Sequence, residues 1–329
     1  AGEGDAVTAG NRGVRCPAPS GAGRWKDGPR MNFIPLNLTV RIGCRITYEA
    51  TVATPILFVL RPRFDERQMV RSEKLTFGFG LPAYEFQDPH GNLTHRAMLL
   101  PGINEICHDA LVAVSSLPEA QGEGLTPTPV SWMPTEWLRY TLPSRYCDSD
   151  KLRDFAWREF GHILHGPARV QAICDWVHRH IEYRFGSGRP DLAASEVIAR
   201  RYGVCRDFAH CAIALCRAFN LPARYVTGHL PDIGCTDPGT PMDFHAWFEV
   251  YLGGSWFSFD ARFNVPRIGR VKVAHGLDAV DGALSTIYGE ARLAYFEVWA
   301  YQVNPLAASV GDPVDLSKRL DGTPNVRLN

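Results

Sequence analysis

Phe244-His-Ala-Trp-Phe-Glu-Val-Tyr-Leu252, Gly253-Gly254 and Ser255-Trp-Phe-Ser-Phe-Asp-Ala261 read together as a β-hairpin. In the first segment Phe244, Ala246, Phe248, Val250 and Leu252 alternate with His245, Trp247, Glu249 and Tyr251. One face is therefore wholly apolar and the other carries titratable and aromatic groups. The paired glycines supply the turn. Register decides what such a hairpin can do. With a two- or four-residue loop, residue numbers paired across the strands sum to an odd number, for instance 251 with 256. His245 and Asp260 then share a face within reach of a hydrogen bond. A three-residue loop would put them on opposite faces.

A His and an Asp held together call for a third partner. A thiol attacks through its thiolate, only a few per cent of which forms at pH 7 unless the protein lowers the pKa. A helix N-terminus and a neighbouring imidazole are the usual means. Cys205 fits: it opens a run to Phe219 in which Phe208, Cys211, Ala212, Leu215 and Phe219 trace a buried stripe, and Asn220-Leu221-Pro222 ends it. Unpaired N–H groups at such a helix start favour a thiolate and can cradle an oxyanion. Gly203 gives a flexible approach to it. Cys211 and Cys216, deeper in the helix, read as small core residues. Taken singly, a buried inert Cys, a structural His and a capping Asp are the plainer readings. The order Cys205, His245, Asp260, each in a suitable local setting, points instead to a catalytic triad.

Tyr202-Gly-Val-Cys-Arg-Asp-Phe-Ala-His210, Asn220-Leu-Pro-Ala-Arg-Tyr-Val-Thr-Gly228, Phe244-His-Ala-Trp-Phe-Glu-Val250 and Trp256-Phe-Ser-Phe-Asp260 resemble the bacterial transglutaminase-like superfamily, whose members are often labelled cysteine proteases. Leu142-Pro-Ser-Arg-Tyr-Cys147 and the β-rich segment before it resemble that family's N-terminal domain, so the likeness spans about Asn37 to Gly282. It implies an α+β chain in which an N-terminal β-sandwich precedes a papain-like transglutaminase core. It also implies Cys205 as nucleophile, His245 as general base and then acid, and Asp260 as orienter. The expected activity is amide or peptide hydrolysis through a thioester, with peptide or protein substrates. Acyl transfer from glutamine to an amine and a non-catalytic scaffold on the same fold stay open. The chain departs from the family after its Asp, where Pro-Thr-Asn is common: here Ala261-Arg262-Phe263-Asn264 follows, a difference that bears on substrate preference.

Outward from this core, residues 31–116 read as a β-rich domain. Leu38 to Tyr48 alternates with a period of two, Thr54 to Arg61 follows, and further strand-like runs are Leu75 to Phe79, Leu93 to Leu100 and Glu105 to Ser115. The five prolines of 117–145 mark a linker expected to lie extended at the surface. The catalytic core is expected over 146–289. Within it Pro167 starts a helix whose Val170, Ile173, Cys174, Val177 and Ile181 form one buried face. In the segment 290–329, Ala291 to Tyr301 fits a strand or a helix. Residues 1–30 lack an apolar signal-peptide core and are expected to be a flexible extension.

The 329 residues carry 35 basic and 35 acidic side chains, a net charge of zero, so bulk electrostatics predict neither nucleic acid nor membrane as partner. Nine cysteines spread over this length fit reduced thiols in the cytoplasm better than a disulfide framework. His229, Cys235, Asp237, Asp243 and His245 lie close in sequence but match no metal-ligand spacing, so no metal and no cofactor is expected. Asp207 is expected to cap the helix of Cys205 or pair with Arg206 or Arg224. Trp247, Trp256 and Tyr183 are candidates for a cleft wall, packing being the plainer reading of the tryptophans.

Overall fold

The structure, a computed structural model, describes residues 34–78, 83–235 and 240–314. The extension read at 1–30 lies outside them. In chain order the first strands are β1 (Leu38–Ala50), β2 (Thr54–Phe58), β3 (Gln68–Phe77), β4 (Tyr84–Gln87), β5 (Leu93–Leu99) and β6 (Gly102–Val114). Then come α1 (Arg153–Phe160), α2 (Pro167–His180), β7 (Glu182–Tyr183), α3 (Ala194–Arg200), β8 (Tyr202–Gly203) and α4 (Cys205–Arg217). The chain continues with β9 (Ala223–His229), β10 (His245–Leu252), β11 (Ser255–Phe259), β12 (Val271–Gly276), β13 (Ser285–Ile287) and β14 (Arg292–Gln302). The result is a mixed α/β protein with several antiparallel sheets.

Two of these sheets, β14-β1-β6-β3 and β13-β2-β5-β4, share one apolar core. Ile46 and Tyr48 of β1, Ile106 of β6 and Val298 of β14 meet Ile56 and Phe58 of β2 and Leu99 of β5 there. The segment left open between strand and helix is strand: β14 runs antiparallel to β1 from Val40↔Gln302 to Glu49↔Arg292. Its residues Val298 to Tyr301 are buried on both faces, so pairing rather than alternating burial identifies the strand.

The third sheet, β11-β10-β9-β12, positions the site. Ala246, Phe248, Val250 and Leu252 of β10 share a core with Phe208, Ala212 and Leu215 of α4 and with Val170, Ile173, Cys174 and Val177 of α2, as the helical spacing predicts. The other face is not in water. All eight residues of β10 are buried, because Glu249 is paired with Arg224 at 2.5 Å and with Lys272 at 2.6 Å, and Lys272 with Asp65 at 2.5 Å. Buried charges persist only when paired in this way. Burial alone would raise the Glu249 carboxyl, but its two cations outweigh that and hold it well below the usual range.

The proline-rich stretch is not extended throughout. It forms two 3₁₀ turns, Val130–Trp132 and Thr135–Thr141. Trp137 and Tyr140 of the second pack edge-on against Trp256, with ring centroids 5.3 and 5.5 Å apart. Aromatic residues on the outer face of the hairpin need such a cover. Trp256 is therefore a packing residue. Among the described residues no helix is long and apolar enough to cross a membrane.

Candidate active site

The turn decides the register, and it has two residues. Gly253 and Gly254 take φ of 54° and 93°, the left-handed values a tight hairpin turn requires, and Tyr251 pairs with Trp256 and Leu252 with Ser255. His245 and Asp260 accordingly fall on one face, and His245 Nε2 lies 2.7 Å from Asp260 Oδ2. Asp260 stands one residue beyond β11, where its Oδ1 accepts the backbone N–H groups of Arg262 at 3.0 Å and Phe263 at 3.3 Å. The carboxylate thus closes its own turn while it holds the ring.

Arg270 completes the arrangement and was not foreseen. Its guanidinium donates to Asp260 Oδ2 at 2.8 Å and to Glu119 at 2.9 Å, and stacks over Trp247 with 4.8 Å to the ring centroid. Burial would raise the Asp260 carboxyl, but His245 and Arg270 outweigh it and hold the group ionised well below the ordinary range. No local pattern betrays Arg270, since it reaches Asp260 from an irregular segment ten positions later. Trp247, 1% exposed, is wall material for this ion pair rather than for a cleft.

Cys205 is the first residue of α4, as expected, and remains partly accessible. Gly203 precedes it for a reason other than flexibility. A Cβ there would lie 2.6 Å from Asp207 Oδ2, which accepts the Val204 N–H at 2.9 Å and so caps the helix. Asp207 also lies 3.6 Å from Arg206, whereas Arg224 is taken by Glu249.

Cys205 and His245 line one pocket of about 300 Å³ with Tyr183, Asp243, Arg262 and Phe263. The sulfur makes no hydrogen bond to the imidazole among the described residues. Nor is it held ionised at rest, as the helix start led us to expect. Burial pushes the Cys205 thiol up to about 11, against the pull of Arg262 and the Ala246 N–H. Burial likewise brings His245 down to about 4, against the pull of Asp260. Both shifts favour the uncharged forms, because desolvation outweighs Arg262 and the Ala246 N–H at the sulfur and Asp260 at the ring. Since Nε2 is engaged by an ionised carboxylate, it carries the ring proton, and the lone pair sits on Nδ1, the nitrogen left for the thiol.

Of the residues declined as metal ligands, Asp237 lies outside the described residues, and Asp243 and His245 line the pocket. His229 is buried against Phe244, ring centroids 4.6 Å apart, and Cys235 lies 3.1 Å from Arg267. No group of three or more ligating side chains capable of holding a metal ion occurs among the described residues. Asp243 faces the pocket, and burial pushes its carboxyl up to about 6.

Against known proteins, the family model described as "Transglutaminase-like superfamily" matches residues 162–261, a span that encloses Cys205, His245 and Asp260. A crystal structure of a "Putative Cysteine Protease" from Cytophaga hutchinsonii is 35% identical, covers 81% of this chain and 91% of its own, and superposes with a TM-score of 0.75. The chain belongs to the transglutaminase-like superfamily. Among the curated proteins of this kind, an uncharacterised Mycobacterium leprae protein is 30% identical over 132 residues, 38% of this chain and 46% of its own. A Drosophila melanogaster peptide-N(4)-(N-acetyl-beta-glucosaminyl)asparagine amidase is 26% identical over 140 residues, 41% of this chain and 18% of its own. The matches span less than half the length of these curated relatives.

Proposed function

We propose that this transglutaminase-like protein hydrolyses amide bonds of peptides or proteins through a thioester on Cys205. The observation that carries the proposal is the His245–Asp260 bond of 2.7 Å beside a pocket that also holds Cys205. With a substrate carbonyl in the pocket, His245 Nδ1 takes the thiol proton as the sulfur attacks the carbonyl carbon. Asp260 stabilises the imidazolium formed in that step, and it is already ionised to do so. The N–H groups of the first turn of α4 receive the oxyanion. The C–N bond then breaks as His245 returns its proton to the leaving amine, and a thioester remains. Water, deprotonated by the same ring, releases the acid and the thiol.

The resting thiol is neutral in this scheme, so ionisation belongs to the encounter with substrate rather than to the free protein. A thiol–imidazole contact that is loose without substrate and tightens with it is compatible with such a role. Hydrolysis is favoured over transfer to an amine because the pocket admits solvent. Nine cysteines spread over 329 residues fit reduced thiols better than a dense disulfide framework, and we place the protein in the cytoplasm on that ground.

The test is cleavage of a peptide library, with products identified by mass spectrometry, in the presence and absence of a primary amine. Cleaved peptides with free carboxyl ends, absent with Cys205→Ala, support hydrolysis. Products carrying the added amine would assign transfer instead. No product from the wild type under either condition would favour the scaffold reading.

A further inference from the structure

Arg262 is the cation lining the pocket, and the proposed mechanism leaves it unused. Its guanidinium lies over the Tyr183 ring at 3.6 Å from the centroid and against Phe263 at 4.5 Å. Stacking of this kind fixes the plane of the group and leaves its edge N–H donors open. No carboxylate of the described residues lies within ion-pair distance of it, whereas the neighbouring Arg267 and Arg270 are matched with Asp232 and with Asp260 and Glu119. The Arg262 carbonyl accepts from His178 Nδ1 at 2.8 Å, so the backbone beneath the side chain is tied to the end of α2. Tyr183 and Arg262 also line a second, shallower basin with Arg179 and Arg201. The acidic member of that basin, Glu182, is paired with Arg184 at 2.6 Å. Arg179, Arg201 and Arg262 thus give the basin three cations against one carboxylate that is already paired. Inside the pocket the acidic groups are Asp232, taken by Arg267, and Asp243, which stands beyond ion-pair distance of Arg262.

We propose that Arg262 is a specificity-determining residue that selects substrates bearing a carboxylate next to the amide attacked by Cys205. The inference rests on the hydrolase reading and names the substrate class for it. A planar, permanently charged fork suits a carboxylate, which it can bind through two parallel hydrogen bonds. The carboxylate is supplied by an acidic side chain or by a chain end.

Iodoacetate and iodoacetamide test this without a known substrate. Both place the same methylene on the same sulfur: an S–C bond forms, the C–I bond breaks, iodide leaves and the thiol proton is lost. They differ only in carboxylate against carboxamide. The ratio of their rates at Cys205, followed by mass spectrometry on the full chain, divides out any change in ionisation of the thiol itself. We expect a ratio about tenfold or more above that of glutathione, falling to the glutathione value in Arg262→Gln, partly kept in Arg262→Lys, and shrinking with added salt. A wild-type ratio equal to that of glutathione, or one that Arg262→Gln leaves in place, overturns the proposal. If the rate ratio behaves as expected while the wild type cleaves no peptide above background, the hydrolase reading fails separately, since the ratio reports on Arg262 whatever the turnover. On cleaved peptides, matched sets with glutamate against glutamine, and with free against amidated C-termini, separate the two sources. Equal cleavage across both sets also overturns the proposal.

Discussion

His245 and Asp260 act as one unit, and Arg270 makes that unit possible. An ionised carboxylate only 4% exposed would be costly alone, and here it meets a ring nitrogen, two turn N–H groups and a guanidinium. Replacing His245 by Ala or Asp260 by Asn should lower turnover by about 10²–10⁴-fold while the chain stays folded, as checked by peptide cleavage and circular dichroism. Arg270→Gln leaves Asp260 buried with its cation gone and should cost about 3–5 kcal/mol in urea denaturation. A change below about 1 kcal/mol would show that the pair is not a structural tie. At this scale the chain was partly legible. Cys205, His245 and Asp260 stand in local patterns that announce them, because helix starts and hairpins impose short-range rules. Arg270 and Glu119 obey none, and the charge state of Cys205 depends on burial by elements far away in sequence.

The hairpin β10–β11 carries the site through its turn. Alternation in Phe244–Leu252 and the two glycines make a hairpin legible in the sequence but leave its register open between even and odd loops; the two-residue turn, with Tyr251 opposite Trp256, decides it. One residue inserted between Ser255 and Trp256, with the two-residue turn kept, should move Asp260 to the wrong face relative to His245. Cleavage should then fall as far as with Asp260→Asn, whereas a two-residue insertion should retain more of it. Equal loss in both would mean that added length rather than register matters. What alternation could not reveal is that the polar face of β10 is buried as well. Glu249 is matched by Arg224 from the adjacent strand, by Lys272 from β12, and through it by Asp65, a set drawn from four separate places in the chain.

Across the whole molecule the same burial governs response to acid. His229 is held down to about 3 and His245 to about 4, each by desolvation first, so both are neutral in the folded state. Unfolded, they take up protons near their ordinary value of about 6.5. Between that pH and their native values the unfolded chain binds more protons, so stability falls as pH drops, by about 1.4 kcal/mol per pH unit for each histidine. Asp243, raised to about 6, works in the opposite sense below that pH and offsets part of one histidine. Melting temperature should therefore fall steadily from about pH 6.5 toward 4, and less steeply in a His229→Phe variant. A melting temperature flat over this range would contradict the burial of these rings. Strand β14, joined to β1 across some 250 positions of sequence, shows why the outer sheets were less legible than the core: an alternating run states that it is a strand but not which edge receives it.

The most direct test of the account is the burst with p-nitrophenyl acetate. With Cys205 as nucleophile, p-nitrophenol is released in an initial phase stoichiometric with protein, the acetyl group is found on Cys205, and the burst is lost in Cys205→Ala and slowed in both His245→Ala and Asp260→Asn. An acetyl group found elsewhere, or a burst indifferent to His245, would contradict it.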